Sequence, residues 1–168
     1  DMSISRQARK FQQRQSGFGI VEALVAAVII TLVLVGVHAT TTQALILVHQ
    51  STKRTQAAFL MEETIEALRS KRDAGWASSI GTLSAGTNYY LAFTGGVWNI
   101  TTTNVFVDKT FEQKFVIEDV NRDANDDIAA SGTLDPNTKK ITATVSWYTP
   151  TGTTTQSIST YVTNMFQN

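Results

Sequence analysis

The sequence predicts an α+β fold: one long N-terminal helix, membrane-spanning and then amphipathic, packed on a small antiparallel β-sheet. Three observations carry this prediction. Phe18–Val37 is a run of 20 residues interrupted by one charge, Glu22, and one hydroxyl, Thr31. No proline occurs before Pro136, so nothing forces a break in a helix that continues past this run. Beyond Trp76 the apolar period changes from helical to alternating.

Taken in order, residues 1–17 form a basic leader, with Arg6, Arg9, Lys10 and Arg14 against Asp1. As a helix, the apolar run Phe18–Val37 is about 30 Å long, the thickness of a bilayer's hydrocarbon core. Positive charge before such a span predicts a cytoplasmic N-terminus and an exported C-terminal part. The segment His38–Gln43 is polar and threonine-rich, and Ala44–Val48 is apolar again. From Ala57 onward Ala58, Met61, Ile65 and Leu68 recur at spacings of three and four, among Glu62, Glu63, Glu66 and Arg69. Gly75 is a natural C-cap. The expected helix therefore runs from about Gly19 to Ala74, on the order of 80 Å. Gly36 and the β-branched Thr40, Thr41 and Thr42 are its weakest points.

The remaining residues, 75–168, read as an exported β-rich head. Ile141, Ala143, Val145 and Trp147 alternate with Thr142, Thr144, Ser146 and Tyr148, the period-two pattern of a half-buried strand. Thr149–Thr153 predicts a turn and Ser157–Val162 a second alternating strand, so the pair forms a hairpin. A further hairpin, Tyr89–Phe93 with Val97–Ile100, is expected around Gly95 and Gly96, and Phe115–Val120 is a strand. Asp135-Pro136-Asn137-Thr138 predicts a type I turn leading into the Ile141 strand.

Composition narrows the functional classes. The formal net charge is zero. Removing the leader takes 4 of 14 basic and 1 of 14 acidic residues, leaving 10 against 13 and a net charge of −3. That balance argues against a nucleic-acid surface on the remainder. No cysteine is present, which excludes disulfides, thiol nucleophiles and thiolate metal sites. The head contains no histidine to serve as a base, and no glycine-rich phosphate loop occurs, so no catalytic residue is assigned.

The informative constellation is Gly17-Phe18-Gly19-Ile20-Val21-Glu22, placed between the basic leader and the apolar helix. It resembles the signal of type IV prepilins. Phe59–Trp76 and Val145–Met165 further resemble PilV-like minor pilins. The resemblance implies a pilin-like ladle fold, cleavage after Gly17 by a prepilin peptidase, methylation of the new amine at Phe18, and a role for Glu22 in assembly. The implied partners are the lipid bilayer and, through the N-terminal helix, other pilin subunits. The implied location is the inner or cytoplasmic membrane, single-pass, and then an extracellular pilus. The physical logic is that an amine and a carboxylate brought together out of water compensate each other, whereas either alone is costly. Gly19 and Ala23 depart from the bulkier residues usual in the motif, and the cysteine pair of many pilin heads is missing. Two alternatives carry different functions: a pseudopilin of a secretion or DNA-uptake machine, and a monomeric membrane-anchored or secreted binding module. The small-residue site Val37-His38-Ala39 would serve the secreted form, with ordinary signal cleavage before Thr40.

One metal candidate stands out. Asp119, Asn121, Asp123, Asn125 and Asp127 supply oxygen ligands at every second position, the donor type calcium takes. Ala124 and Ala130 occupy the positions where an EF-hand needs glycine and glutamate, so a solvated acidic turn without a cofactor is the favoured reading. His38 and His49 lie too far apart on the helix, roughly 16 Å, to share a metal.

Overall fold

In the computed structural model residues 19–166 are described, and the chain divides into two compact units at Val48/His49. A single helix, α1, spans Ile20–Ala74 and contributes to both units. The described part of the first unit is helix alone. All its side chains from Ile20 to Val48 are exposed except Ala26, which is half-buried. Ile20, Leu24, Ile29, Leu32 and Leu34 are among the large apolar side chains left open.

The second unit has a conventional core. After α1 and a short 3₁₀ turn at Ile80–Thr82 come seven strands: β1 Asn88–Thr94, β2 Val97–Thr101, β3 Phe106–Val107, β4 Phe111–Arg122, β5 Ile128–Ala129, β6 Thr133–Thr149 and β7 Gly152–Thr163. All pairings are antiparallel, in the order β2-β1-β4-β6-β7. One edge of β4 is shared in turn by β3, β1 and β5, while β6 runs along the other.

The alternation in β6 sorts its residues as the sequence predicts. Ile141, Ala143 and Val145 are fully buried, and Tyr148 points out to solvent. They meet Phe115 and Ile117 of β4, Tyr89 and Leu91 of β1, and the last turns of α1 in one hydrophobic cluster. From α1 the cluster takes Ala57, Met61, Ile65, Ala67 and Leu68. The buried alanine is thus Ala57, not Ala58, which is exposed: the buried stripe of α1 passes through Ala57 and Met61 at i,i+4. Trp76 and Trp147 are core residues, and Trp98 packs against the margin of the cluster.

Helix and sheet are also joined by a polar contact inside the core. Gln113 Nε2 donates to the Leu60 carbonyl and to Thr64 Oγ1, both at 2.8 Å, and Thr64 in turn donates to Leu60 O. Gln113 is 4% and Thr64 1% exposed, so these groups have no access to water as an alternative.

Asp135-Pro136-Asn137-Thr138 does not end a strand, contrary to the expected type I turn. The four residues lie inside β6 as an irregularity, because β4 pairs Val120 with Asp135 and then Asp119 with Lys139. The local turn chemistry survives there: Asp135 Oδ1 accepts from Asn137 N at 2.9 Å. The proline, which has no N–H to give the ladder, sits in the unpaired stretch where none is required.

Candidate functional site

The N-terminal end of α1 positions the one charged group of the apolar segment. Gly19 precedes the helix, and its carbonyl accepts from Glu22 N at 2.9 Å and from Ala23 N at 3.1 Å, closing the first turn. Glu22 lies in that turn, where the partial positive charge of the helix end favours a carboxylate. Gly17 and Phe18, the proposed cleavage and methylation positions, lie outside the described residues.

The hydroxyl groups of Thr31, Thr40, Thr41 and Thr42 are satisfied within the helix. Thr31 Oγ1 donates to Ala27 O at 2.8 Å, Thr41 to Val37 O at 2.8 Å and Thr42 to His38 O at 2.9 Å. Thr40 reaches both Gly36 O and Val37 O. Each hydroxyl folds back on a carbonyl of the preceding turn, so the threonines that looked like weak points leave no donor demanding water. Residue type alone could have signalled this, because serine and threonine are the side chains that can bond one turn back. The helix is unbroken through Val37–Ala39.

An apolar helix of this length, uncovered within its own unit and with its hydroxyls internally bonded, is suited to an apolar surrounding. By length and composition α1 contains a segment long and apolar enough to cross a membrane. Residues 12–37 match the prokaryotic N-terminal methylation motif. That match is consistent with a type IV prepilin-like protein, and it brackets Gly17, Phe18 and Glu22. The motif family is structural rather than enzymatic, and its members in general meet other pilins and a prepilin peptidase. No curated protein and no solved structure matches the chain.

The acidic series takes a different form from a five-ligand loop. Asp119 and Asn121 belong to β4, and only Asp123, Asn125 and Asp127 lie in the turn between β4 and β5. Asp119 pairs with Lys139. Asp123 Oδ1 accepts from the backbone N–H groups of Asn125 (2.8 Å) and Asp127 (3.0 Å), so it holds the turn's own backbone. Arg122 anchors the corner, donating to Asp135 Oδ2 and to the Asp126 carbonyl, each at 2.7 Å. Its guanidinium holds the Asp135 carboxyl below the usual carboxylate range. Among the described residues no three Asp, Glu, His or Cys side chains are grouped to hold a metal ion.

Proposed function

We propose that this chain is a structural subunit of a type IV pilus, of the PilV-like minor class, made as a membrane prepilin. The leader stays in the cytoplasm, the peptidase cuts between Gly17 and Phe18, and the new amine of Phe18 is methylated. The processed subunit leaves the bilayer and its apolar helix exchanges lipid for the helices of other subunits. Glu22 then meets a Phe18 amine and sets the register between neighbours.

The observation that supports this reading is the motif at residues 12–37, which takes in the start of α1, where the exposed apolar stretch from Ile20 to Val48 carries a single carboxylate, Glu22, in its first turn. The alternative cut before Thr40 finds less support, since it would fall inside continuous α-helix.

Mass spectrometry of the mature N-terminus tests the reading. A chain beginning at methylated Phe18 is the expected result. A retained leader, or a chain beginning at Thr40, removes the basis for assembly. The motif fits a pseudopilin equally well, and abundance separates the two: a minor pilin is scarce but present in sheared filaments, whereas a pseudopilin is absent from them.

A further inference from the structure

Asn99-Ile100-Thr101 is an Asn-X-Ser/Thr triplet with no proline at its centre, the acceptor pattern for N-linked sugar. Of the eight asparagines in the chain, Asn99 alone is followed at the second position by serine or threonine. The sugar is bulky and hydrophilic, so such a triplet can serve only on an accessible surface.

The triplet lies on β2, which ends one side of the sheet. Among the described residues no strand pairs with the outer side of β2, and Thr101 is its last residue. The triplet is therefore held by the ladder on one side only and runs out into the irregular segment 102–105. Asn99 is exposed, and the residue opposite it on β1 is the small Ala92. Neither β1 nor β2 carries a charge.

The amide of Asn99 is loosely held. Its Nδ2 reaches the Val97 carbonyl at 3.4 Å, the long limit of a hydrogen bond. Asn104 Nδ2, by comparison, donates to Glu112 Oε1 at 3.0 Å. Thr101 Oγ1 accepts from Thr103 N at 3.1 Å, which leaves its own O–H proton to be donated. Beside the triplet an open cleft of about 540 Å³ runs between β2 and the end of α1, lined by Lys71, Ser78, Ser79 and Thr82 together with Asn99 and Thr101. Hydroxyls, an amide and one ammonium match the hydrogen-bonding groups of a sugar better than they match an apolar ligand.

We propose that Asn99 is the acceptor of an N-linked oligosaccharide, added once the second unit is exported. In the transfer Asn99 Nδ2 bonds to the anomeric carbon of a lipid-pyrophosphate-linked oligosaccharide while the bond from that carbon to the phosphate oxygen breaks. The electron pair leaves with the lipid pyrophosphate, and one amide proton passes to a base of the transferring enzyme. The first sugar lies against the polar cleft, and the rest stands off the edge of β2. That position gives the sugar a structural use. β2 presents Val97, Trp98 and Ile100 on an unpaired strand with neither charge nor proline to discourage an added strand, and a bulky hydrophilic group supplies the guard. The site rests on the export of the second unit in the function proposed above and makes no demand on Glu22.

The test uses full-length protein from the cells that naturally make it. Trypsin releases residues 73–109 as one peptide, which is analysed by mass spectrometry with fragmentation that keeps sugars attached. Sugar mass located on Asn99 is the expected result. In the same cells Asn99→Gln and Thr101→Ala should each lower occupancy at least tenfold, while Thr101→Ser, which keeps the triplet, should retain it. A bare Asn99 in the unaltered protein, or sugar that persists on a neighbouring threonine in Asn99→Gln, would overturn the proposal. The N-terminal peptide of the same sample keeps this outcome apart from the pilin reading. A bare Asn99 in chains that begin at Phe18 refutes the sugar site alone, whereas chains that retain the leader refute the processing whatever Asn99 carries.

Discussion

Glu22 is the sole Asp, Glu, Lys or Arg between Ile20 and Val48. A carboxylate in a spanning helix costs about 2.5–3.5 kcal/mol at mid-bilayer and less near the edge, so its presence needs a compensating role. Glu22→Ala should leave membrane insertion unchanged and reduce incorporation into filaments at least tenfold, measured by immunoblotting of sheared filaments against membranes. Normal incorporation would refute the docking role. Gln113 is the corresponding single residue of the core. Gln113→Ala removes the donor to Leu60 O and Thr64 Oγ1 and leaves a void beneath α1. Thermal or urea unfolding should show a loss of about 2 kcal/mol. Asp135 carries a pH dependence. Its carboxyl is depressed first by the Arg122 hydrogen bond, so the stabilisation is fully present above the ordinary carboxylate pKa of about 4 and is lost as pH falls below it. Asp135→Asn should flatten the acid limb of a melting-temperature profile measured between pH 7 and 3.

Among the elements, α1 follows its sequence closely because its signals are local: an apolar run, a 3.6-residue period and a terminal glycine whose N–H bonds Lys71 O and Arg72 O. The strands of the two hairpins and β4 were also legible from alternation, although β4 and β7 extend several residues beyond their predicted ends. The turn joining β3 to β4 was not foreseen. Asp108 and Lys109 take φ of 49° and 55°, and Thr110 N bonds Val107 O at 3.0 Å. Such a turn favours glycine at its second central position, and a lysine there strains its Cβ against the backbone. Lys109→Gly should therefore stabilise the second unit by about 0.5–1 kcal/mol, even after the entropy glycine loses on folding. A lower denaturation midpoint would show that the lysine makes a contribution the backbone geometry does not reveal.

At the scale of the whole molecule, the two units obey different solvents. The first leaves its apolar side chains uncovered and satisfies its hydroxyls internally, as a segment suited to an apolar surrounding must. The second buries its apolar groups around Phe115, Ile141 and Leu68 and, without cysteine, relies on that packing and on the Arg122–Asp135 corner. With Asp119 and Asp123 already engaged by Lys139 and by the turn's backbone, chelator should leave the melting temperature at pH 7 unchanged. A fall on adding chelator, reversed by calcium, would show that the acidic turn takes up the ion after all.

The sequence by itself determined the long helix, the membrane-compatible run, the methylation motif with Glu22, and the buried face of β6. Each of these is written in residues within a few turns of one another. Only the tertiary structure decided that Ala57 rather than Ala58 meets the sheet, that Asp135–Thr138 is absorbed into β6, that the acidic series is split between a strand and a turn, and that β7 ends the sheet. Those outcomes depend on which segments distant in the chain lie side by side, and hydrogen bonds and burial between such segments leave no periodic trace in either one.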